Sequence, residues 1–234
     1  MKLDQLLKNQ EEFMGSLAHE MKTPLTSIIG YADLMRIENL SEEEQKEACG
    51  YIYSEGKRLQ NLSLKLMNLL VLKNQEFQMK KQNLVPMIHE VISSMQYRLQ
   101  EQKILVNLNL KPTICEVEAD LLKSLILNLV DNSLKSMNVG GILTIECCPA
   151  QEGAKIYVSD TGCGMPKGEL DKITEAFYRV DKSRSRKQGG VGLGLALCKE
   201  IVRIHKGDME FISQEEKGTT AIITIGGGHY EKTD

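Results

Sequence analysis

Apolar residues fall into two different rhythms along this chain. In the first third they recur every seven residues, at Met14, Met21, Ile28 and Met35, with Ala18, Leu25 and Ala32 four further on. That period predicts a helix with one apolar seam. The rhythm breaks at Glu38-Asn39-Leu40, where Ser41 precedes Glu42, Glu43 and Glu44. A hydroxyl followed by acids predicts an N-cap and the first turn of a second helix, because side-chain oxygens satisfy free amide N–H groups and carboxylates complement the helix dipole. The seam resumes through Ile52, Leu59 and Leu66, with Leu62 and Leu69 beside them. Each helix of about 30 residues would be on the order of 45 Å long. One such hairpin leaves its seam half exposed. Two would bury it as a four-helix bundle, so a homodimer is expected.

Beyond a polar stretch at 73–81 the pattern changes. Residues 86–99 and 119–137 read as helices, and 104–110 alternates like a strand. Residues 114–117 form another short strand candidate. Residues 142–147 and 155–159 read as paired strands joined by a turn around Gln151-Glu152-Gly153. A glycine-rich stretch, a helix over 193–205 and strands at 209–212 and 220–225 complete the chain. Strands interspersed with helices without regular alternation predict an α+β class, with a sandwich following the hairpin. The expected organisation is a helical unit over 1–73, a linker over 74–81, an α/β sandwich over 82–228 and a tail over 229–234.

Composition narrows this picture only slightly. The 234 residues are 41% hydrophobic and 26% charged, with a formal net charge of -3. That balance gives no support for nucleic-acid binding, which calls for a clustered basic excess. No apolar run approaches the roughly 18 residues that cross a bilayer, and the charged amphipathic start is unlike a signal peptide. The six cysteines, Cys49, Cys115, Cys147, Cys148, Cys163 and Cys198, form no CxxC pair. Reduced, mostly buried thiols in a cytoplasmic setting are expected.

The candidate chemistry starts at Ser16-Leu17-Ala18-His19-Glu20-Met21-Lys22-Thr23-Pro24-Leu25. His19 lies five residues after Met14, so it points about 140° away from the seam, toward water. A neutral imidazole has one nucleophilic nitrogen, and Glu20 is placed to accept a hydrogen bond from the other and stabilise the charge that develops during attack. Pro24 removes a backbone donor and predicts a local kink just past the histidine.

Three further features suit a nucleotide. Asn128 and Asn132 share a face of an otherwise apolar helix, with Lys135 three further on. Buried amides are costly unless satisfied, and Mg²⁺ or helix-to-strand hydrogen bonds would each satisfy them. Asp160-Thr161-Gly162-Cys163-Gly164 follows a strand, where a carboxylate can accept a hydrogen bond from an exocyclic amine. Gly189-Gly190-Val191-Gly192-Leu193-Gly194 opens a helix, leaving amide groups and a positive dipole end available to phosphates.

His19-Glu20-Met21-Lys22-Thr23-Pro24-Leu25 resembles the H box of histidine kinases in the commonest dimerisation-and-phosphotransfer class. NxxxN, DxGxG 28 residues after the second Asn, GxGLGL and Gly218-Thr219, in that order, resemble the boxes of the Bergerat ATP-binding fold. Residues 175–186, including Phe177-Tyr178-Arg179, are similar to the F box and lid of histidine kinases. The resemblance covers roughly residues 8–225. It implies ATP and Mg²⁺ as cofactors, autophosphorylation of His19, Glu20 as general base, and transfer to an aspartate on a response-regulator receiver domain. It implies that Asp160 reads the adenine amino group, with Thr219, Gly162 and Gly164 lining that pocket. By the same carry-over Asn132 holds Mg²⁺ with Asn128 beside it, Lys135 and Arg179 approach the phosphates, and Gly190, Gly192 and Gly194 shape the triphosphate pocket. Thr23 matches the position that orients water for dephosphorylating the regulator, a candidate second activity.

Ser136 stands where the family often has an aromatic residue, which removes one nucleoside contact. The basic cluster Lys182, Arg184, Arg186 and Lys187 reads first as a solvated lid. Without sensory or membrane-spanning segments, the chain is expected to be the cytoplasmic portion of a membrane-bound sensor, touching membrane only through segments absent here. Two other readings remain. One is a phosphotransfer or phosphatase scaffold that binds nucleotide without turnover. The other is a topoisomerase- or chaperone-like ATPase, which leaves the His19 hairpin unexplained.

Overall fold

The computed structural model describes residues 2–37, 40–137, 139–151, 153–180 and 191–226. The Gly190 position, the basic cluster at 182–187, the connection at Asn39 and His229 lie outside the described residues.

Helix α1 (Lys2–Ile37) and helix α2 (Glu42–Asn74) pack as a hairpin. The expected N-cap forms a capping box. The Ser41 backbone N–H donates to the Glu44 carboxylate at 2.9 Å, while Glu44 N–H donates to the Ser41 hydroxyl at 3.4 Å. The Ser41 hydroxyl also donates to that carboxylate at 2.6 Å, and this bond, followed by the backbone one, holds the Glu44 carboxyl below its usual range. Helix α1 runs unbroken through Pro24, whose missing N–H leaves the Glu20 carbonyl without its helical donor.

Strand β1 (Lys80–Asn83) lies partly within the stretch expected to be a linker. It pairs antiparallel with β3 (Ile114–Val117), from Lys80 opposite Val117 to Asn83 opposite Ile114. The helix expected over 86–99 is divided into α3 (Leu84–Ser94) and α4 (Gln96–Glu101). Between them Met95 adopts φ -100° and ψ 1°, turning its N–H onto the carbonyls of Ile92 and Ser93. Its side chain is buried, so apolar packing accompanies the bend.

The main sheet comprises β2 (Ile104–Leu110), β4 (Gly141–Ala150), β5 (Gly153–Asp160), β6 (Asp208–Gln214) and β7 (Gly218–Ile225). Their order is β2-β4-β5-β7-β6, with β2 and β4 parallel and the other pairs antiparallel. Helices α5 (Ala119–Ser136) and α6 (Gly194–Ile204) pack on one another and on this sheet. Leu122, Leu125 and Ile126 on α5 meet Ile145, Ile156, Ile223 and Ile201, all fully buried. The end of α5, the loop after β5 and the start of α6 border one cleft.

His205 follows α6 and is buried. Its Nδ1 lies 2.8 Å from the Ile201 carbonyl, and its Nε2 accepts from Glu118 N–H at 3.1 Å. The Nδ1–H tautomer satisfies both bonds and joins the end of α6 to the start of α5. Cys115, Cys147 and Cys198 are buried thiols, whereas Cys49 and Cys163 are exposed. Burial pushes Cys198 up to about 12. Among the described residues no helix is long and apolar enough to cross a membrane.

Candidate active site

The first half of the site lies on the hairpin. His19 is exposed on α1, as are Met14, Met21 and Leu25 of the seam. One turn later the Thr23 hydroxyl donates to the His19 carbonyl at 3.3 Å. Glu20, expected to face the imidazole, is engaged elsewhere. Its carboxylate accepts from the Arg58 guanidinium of α2 at 3.0 Å and from the Arg179 guanidinium of the sheet unit. No hydrogen bond among the described residues joins Glu20 to His19. Two guanidiniums outcompete a neutral imidazole, because each ion pair in this half-buried setting combines charge attraction with directed hydrogen bonds. A second contact runs beside the first: the Phe13 ring of α1 lies 5.3 Å from the Phe177 ring, tilted by 54°.

The second half is a cleft of about 790 Å³. Of the motif residues, Asn132, Lys135, Gly164, Arg179, Gly192, Gly194 and Thr219 line it together. Asn128 is not among the lining residues, and its Nδ2 donates to the Ser124 carbonyl at 2.8 Å. A Cβ at Gly194 would lie 3.3 Å from Asn128 Oδ1 and 3.9 Å from the Asn132 amide, so the glycine turn opening α6 lies against both asparagines. Asn132 Nδ2 is buried with no hydrogen-bond partner among the described residues. An orphaned buried amide is costly, and its N and O ends can exchange by rotation. Either a phosphate oxygen or a hard cation would satisfy it, so the residues fit both ATP and Mg²⁺.

At the end of β5, Asp160 Oδ1 accepts from Gly162 N–H at 2.9 Å and from the Ser136 hydroxyl at 2.9 Å. A Cβ at Gly162 would lie 2.0 Å from Ser136 Oγ, so glycine there makes room for the serine. The departure at Ser136 therefore supplies a hydrogen bond to Asp160 where an aromatic ring would have supplied stacking. Across the strand pair Asp160 is opposite Thr219, whose hydroxyl is 2.8 Å from that of buried Ser213. Ser213 also donates to the Gly218 carbonyl at 3.0 Å and accepts from Met165 N–H at 2.9 Å. It ties the loop after Asp160 to the β6–β7 turn. No motif pointed to Ser213, because its partners are distant in sequence.

The two cations expected at the phosphates have protein partners here. Lys135 pairs with Asp131 at 2.6 Å, and Asp131 also accepts from Arg98 at 2.7 Å. Burial pushes the Asp131 carboxyl up, but Lys135 and Arg98 outweigh it and hold the group below its usual range. Arg179 turns to Glu20, with its Nε buried and unpartnered. Sequence reasoning also missed Lys65, which reaches the cleft from α2. A larger cleft of about 1510 Å³ lies between the hairpin and α6, bordered by Phe13, Met14, Leu66, Lys199 and Phe211. Of the motif segments it is bordered only by Ala176, and by none of the candidate site residues, so size and chemistry point to different places and the chemistry identifies the smaller cleft.

Residues 9–69 match the family model of the His Kinase A (phospho-acceptor) domain. Residues 117–227 match that of the histidine kinase-, DNA gyrase B- and HSP90-like ATPase. The sensor protein SrrB of Staphylococcus aureus (strain NCTC 8325 / PS 47) is 29% identical over 229 residues, covering 95% of this chain and 38% of SrrB. The chain thus spans well under half of that relative's length. Among solved structures, the histidine kinase ThkA in complex with the response regulator protein TrrA superimposes with a TM-score of 0.76 at 21% identity, over 96% of this chain and 66% of that one. The Acinetobacter baumannii histidine kinase AdeS gives 0.69 at 20% identity, over 89% and 97%. At such identities the structures establish the shared fold alone. With a phosphoacceptor match on the hairpin and an ATPase match on the sheet unit that follows, the chain belongs to the sensor histidine kinases and holds their catalytic core.

Proposed function

We propose that this chain transfers the γ-phosphoryl group of ATP to its own His19 and then to an aspartate on a response-regulator receiver domain. One observation carries the reading: Arg179 lines the nucleotide cleft and also grips Glu20, the neighbour of His19. A single side chain thus joins the phosphate site to the phosphoacceptor helix.

In this reading the nucleotide lies between α5 and the glycine turn, with Asp160 accepting from the adenine amino group and Gly162, Gly164 and Thr219 beside it. Mg²⁺, held by Asn132 with Asn128 adjacent, would neutralise charge on the phosphate oxygens. Lys135 and Arg179 turn from Asp131 and Glu20 to the phosphates. That exchange frees Glu20 from Arg179, one of its two guanidinium partners, and makes it available to the His19 ring while Arg58 keeps hold of it. The unprotonated ring nitrogen then bonds to the γ-phosphorus as the bond to the bridging oxygen breaks and ADP departs with the electron pair. Glu20 accepts the proton from the other nitrogen. Catalysis is chiefly positioning and charge neutralisation, as in phosphoryl transfer generally.

We read residues 1–73 and 82–228 as the two working units, with 74–81 as the joint that lets them move and 229–234 as a tail. The exposed Met14, Met21, Leu25 and Ile29 of α1 support pairing of two hairpins into a four-helix bundle. The ThkA structure contains a response regulator, which supports a receiver domain as the partner here. Thr23 is one turn from His19 and exchanges a weak backbone bond readily, which suits a hydroxyl that positions water for regulator dephosphorylation. Thr23→Ala should lower that dephosphorylation at least tenfold while leaving His19 labelling in place; a normal rate refutes the role.

The main test is incubation with γ-labelled ATP, comparing wild type with His19→Gln. An acid-labile, alkali-stable label on wild type alone is expected. Nucleotide binding without any label would favour the non-catalytic scaffold, and steady phosphate release without a phosphoprotein would favour an ATPase.

A further inference from the structure

Helix α2 faces the sheet unit along a stripe of Leu62, Leu69 and Leu72, all buried in the core shared with that unit. Lys65 lies on the same stripe, three residues after Leu62 and four before Leu69. A lysine between buried leucines would ordinarily bend its ammonium to water or to a carboxylate. Lys65 does neither. It enters the nucleotide cleft alongside Asn132, Lys135, Gly192 and Gly194. It forms no ion pair or hydrogen bond among the described residues. The charges that act on it most are those of Lys135 and Asp131 of α5, and Arg179, Glu215 and Glu216 also line the cleft. Asp131 is already committed to Lys135 and Arg98. Burial, and then the Lys135 charge, make the ammonium easier to deprotonate than an ordinary lysine's.

A cation carried into a cleft beside a second cation, with no carboxylate of its own, marks a place for an anion. We propose that Lys65 of the hairpin is a phosphate-binding residue of the nucleotide site, completing it from the other structural unit. This rests on the nucleotide reading above and deepens it. The cleft then has cations on two sides: Lys135 on α5 and Lys65 on α2. Phosphates seated between them relieve the like-charge contact and draw the sheet unit onto the hairpin. Linkage makes the effect mutual, since an anion that uses Lys65 tightens the seating of α2 by the same factor as that seating tightens the anion. Lys65 thereby discriminates by phosphate content, contributing to ATP and ADP and nothing to adenosine.

Calorimetric titration of the full chain with ATP, ADP and adenosine tests this. Lys65→Gln should weaken ATP and ADP about tenfold, or about 1.4 kcal/mol, and leave adenosine unchanged. Lys65→Arg should restore most of the loss, which a purely packing role would not produce. Unchanged or tighter ATP binding by Lys65→Gln would overturn the proposal while leaving the nucleotide site intact. An equal loss for adenosine would also overturn it, as the sign of a distorted cleft. Wild type that binds none of the three would overturn the nucleotide reading and this inference with it.

Discussion

The hairpin and the sheet unit handle their apolar residues in opposite ways. In the sheet unit Leu122, Leu125, Ile126, Ile145, Ile156 and Ile223 are sealed between helices and strands. On the hairpin Met14, Met21, Leu25 and Ile29 of α1 and Leu64, Met67 and Leu70 of α2 remain exposed. A set of that size is too large to be incidental surface. The sheet unit buries its apolar residues between its own helices and strands, whereas the hairpin buries Ala48 and the stripe that meets the sheet unit and leaves the others exposed. The candidate cleft thus stands on a closed core, and His19 on a helix that carries exposed apolar residues.

The largest effect that could break this contrast is a core truncation. Ile126→Ala should cost about 2–5 kcal/mol and lower the unfolding midpoint seen by calorimetry at every protein concentration. A cost near zero would mean that the sheet core is not closed. Next comes Gly164→Ala. Gly164 has φ +61°, and a Cβ there would lie 1.9 Å from the Gln214 carbonyl oxygen. About 1–3 kcal/mol of strain is expected, read as a lower midpoint together with weaker ATP binding. On the hairpin side, Met21→Lys combined with Leu25→Glu should change the stability of the sheet unit by less than about 0.5 kcal/mol. It should nevertheless convert a dimer to a monomer in sedimentation, with loss of the concentration dependence of hairpin melting. A variant that stays dimeric would place the interface elsewhere.

The smallest effect is electrostatic and confined to the sheet unit. The Asp131 carboxyl titrates below its usual range when folded and near 3.9 when unfolded. The unfolded chain therefore binds the proton first, so this stability is present above about pH 4 and is lost as pH falls through the folded value. Asp131→Asn should flatten that part of the acid unfolding curve. An unchanged curve would mean that the pairs with Lys135 and Arg98 contribute nothing.

Local signals were legible in the sequence, and long-range pairings were not. The heptad seam gave both long helices, and Ser41 with Glu44 gave the start of α2, because a capping box is complete within four residues. Alternation gave β2, β4, β5 and β7. Strand β1 was hidden because Lys80, Lys81 and Gln82 are polar and their partners lie more than thirty residues on, at 115–117. The motifs pointed to Asn132, which lines the cleft, and to Asp160, which binds Gly162 and Ser136 beside it. They could not show that Glu20 is held by Arg58 and Arg179, since nothing near Glu20 in the chain announces a guanidinium from 159 positions away. Lys65 left one readable trace, a charge on the Leu62–Leu69–Leu72 stripe. Ser136 showed only as a departure until its bond to Asp160 gave it a place.

Everything in the proposed function converges on one nitrogen–phosphorus bond at His19. Peptide mapping of the full chain after incubation with ATP and Mg²⁺, kept at neutral to alkaline pH, tests it most directly. The expected result is a single added phosphoryl group on the peptide carrying His19, absent from Asn132→Ala as well as from His19→Gln. A phosphoryl group on any other residue, or none while ATP is bound, would contradict it.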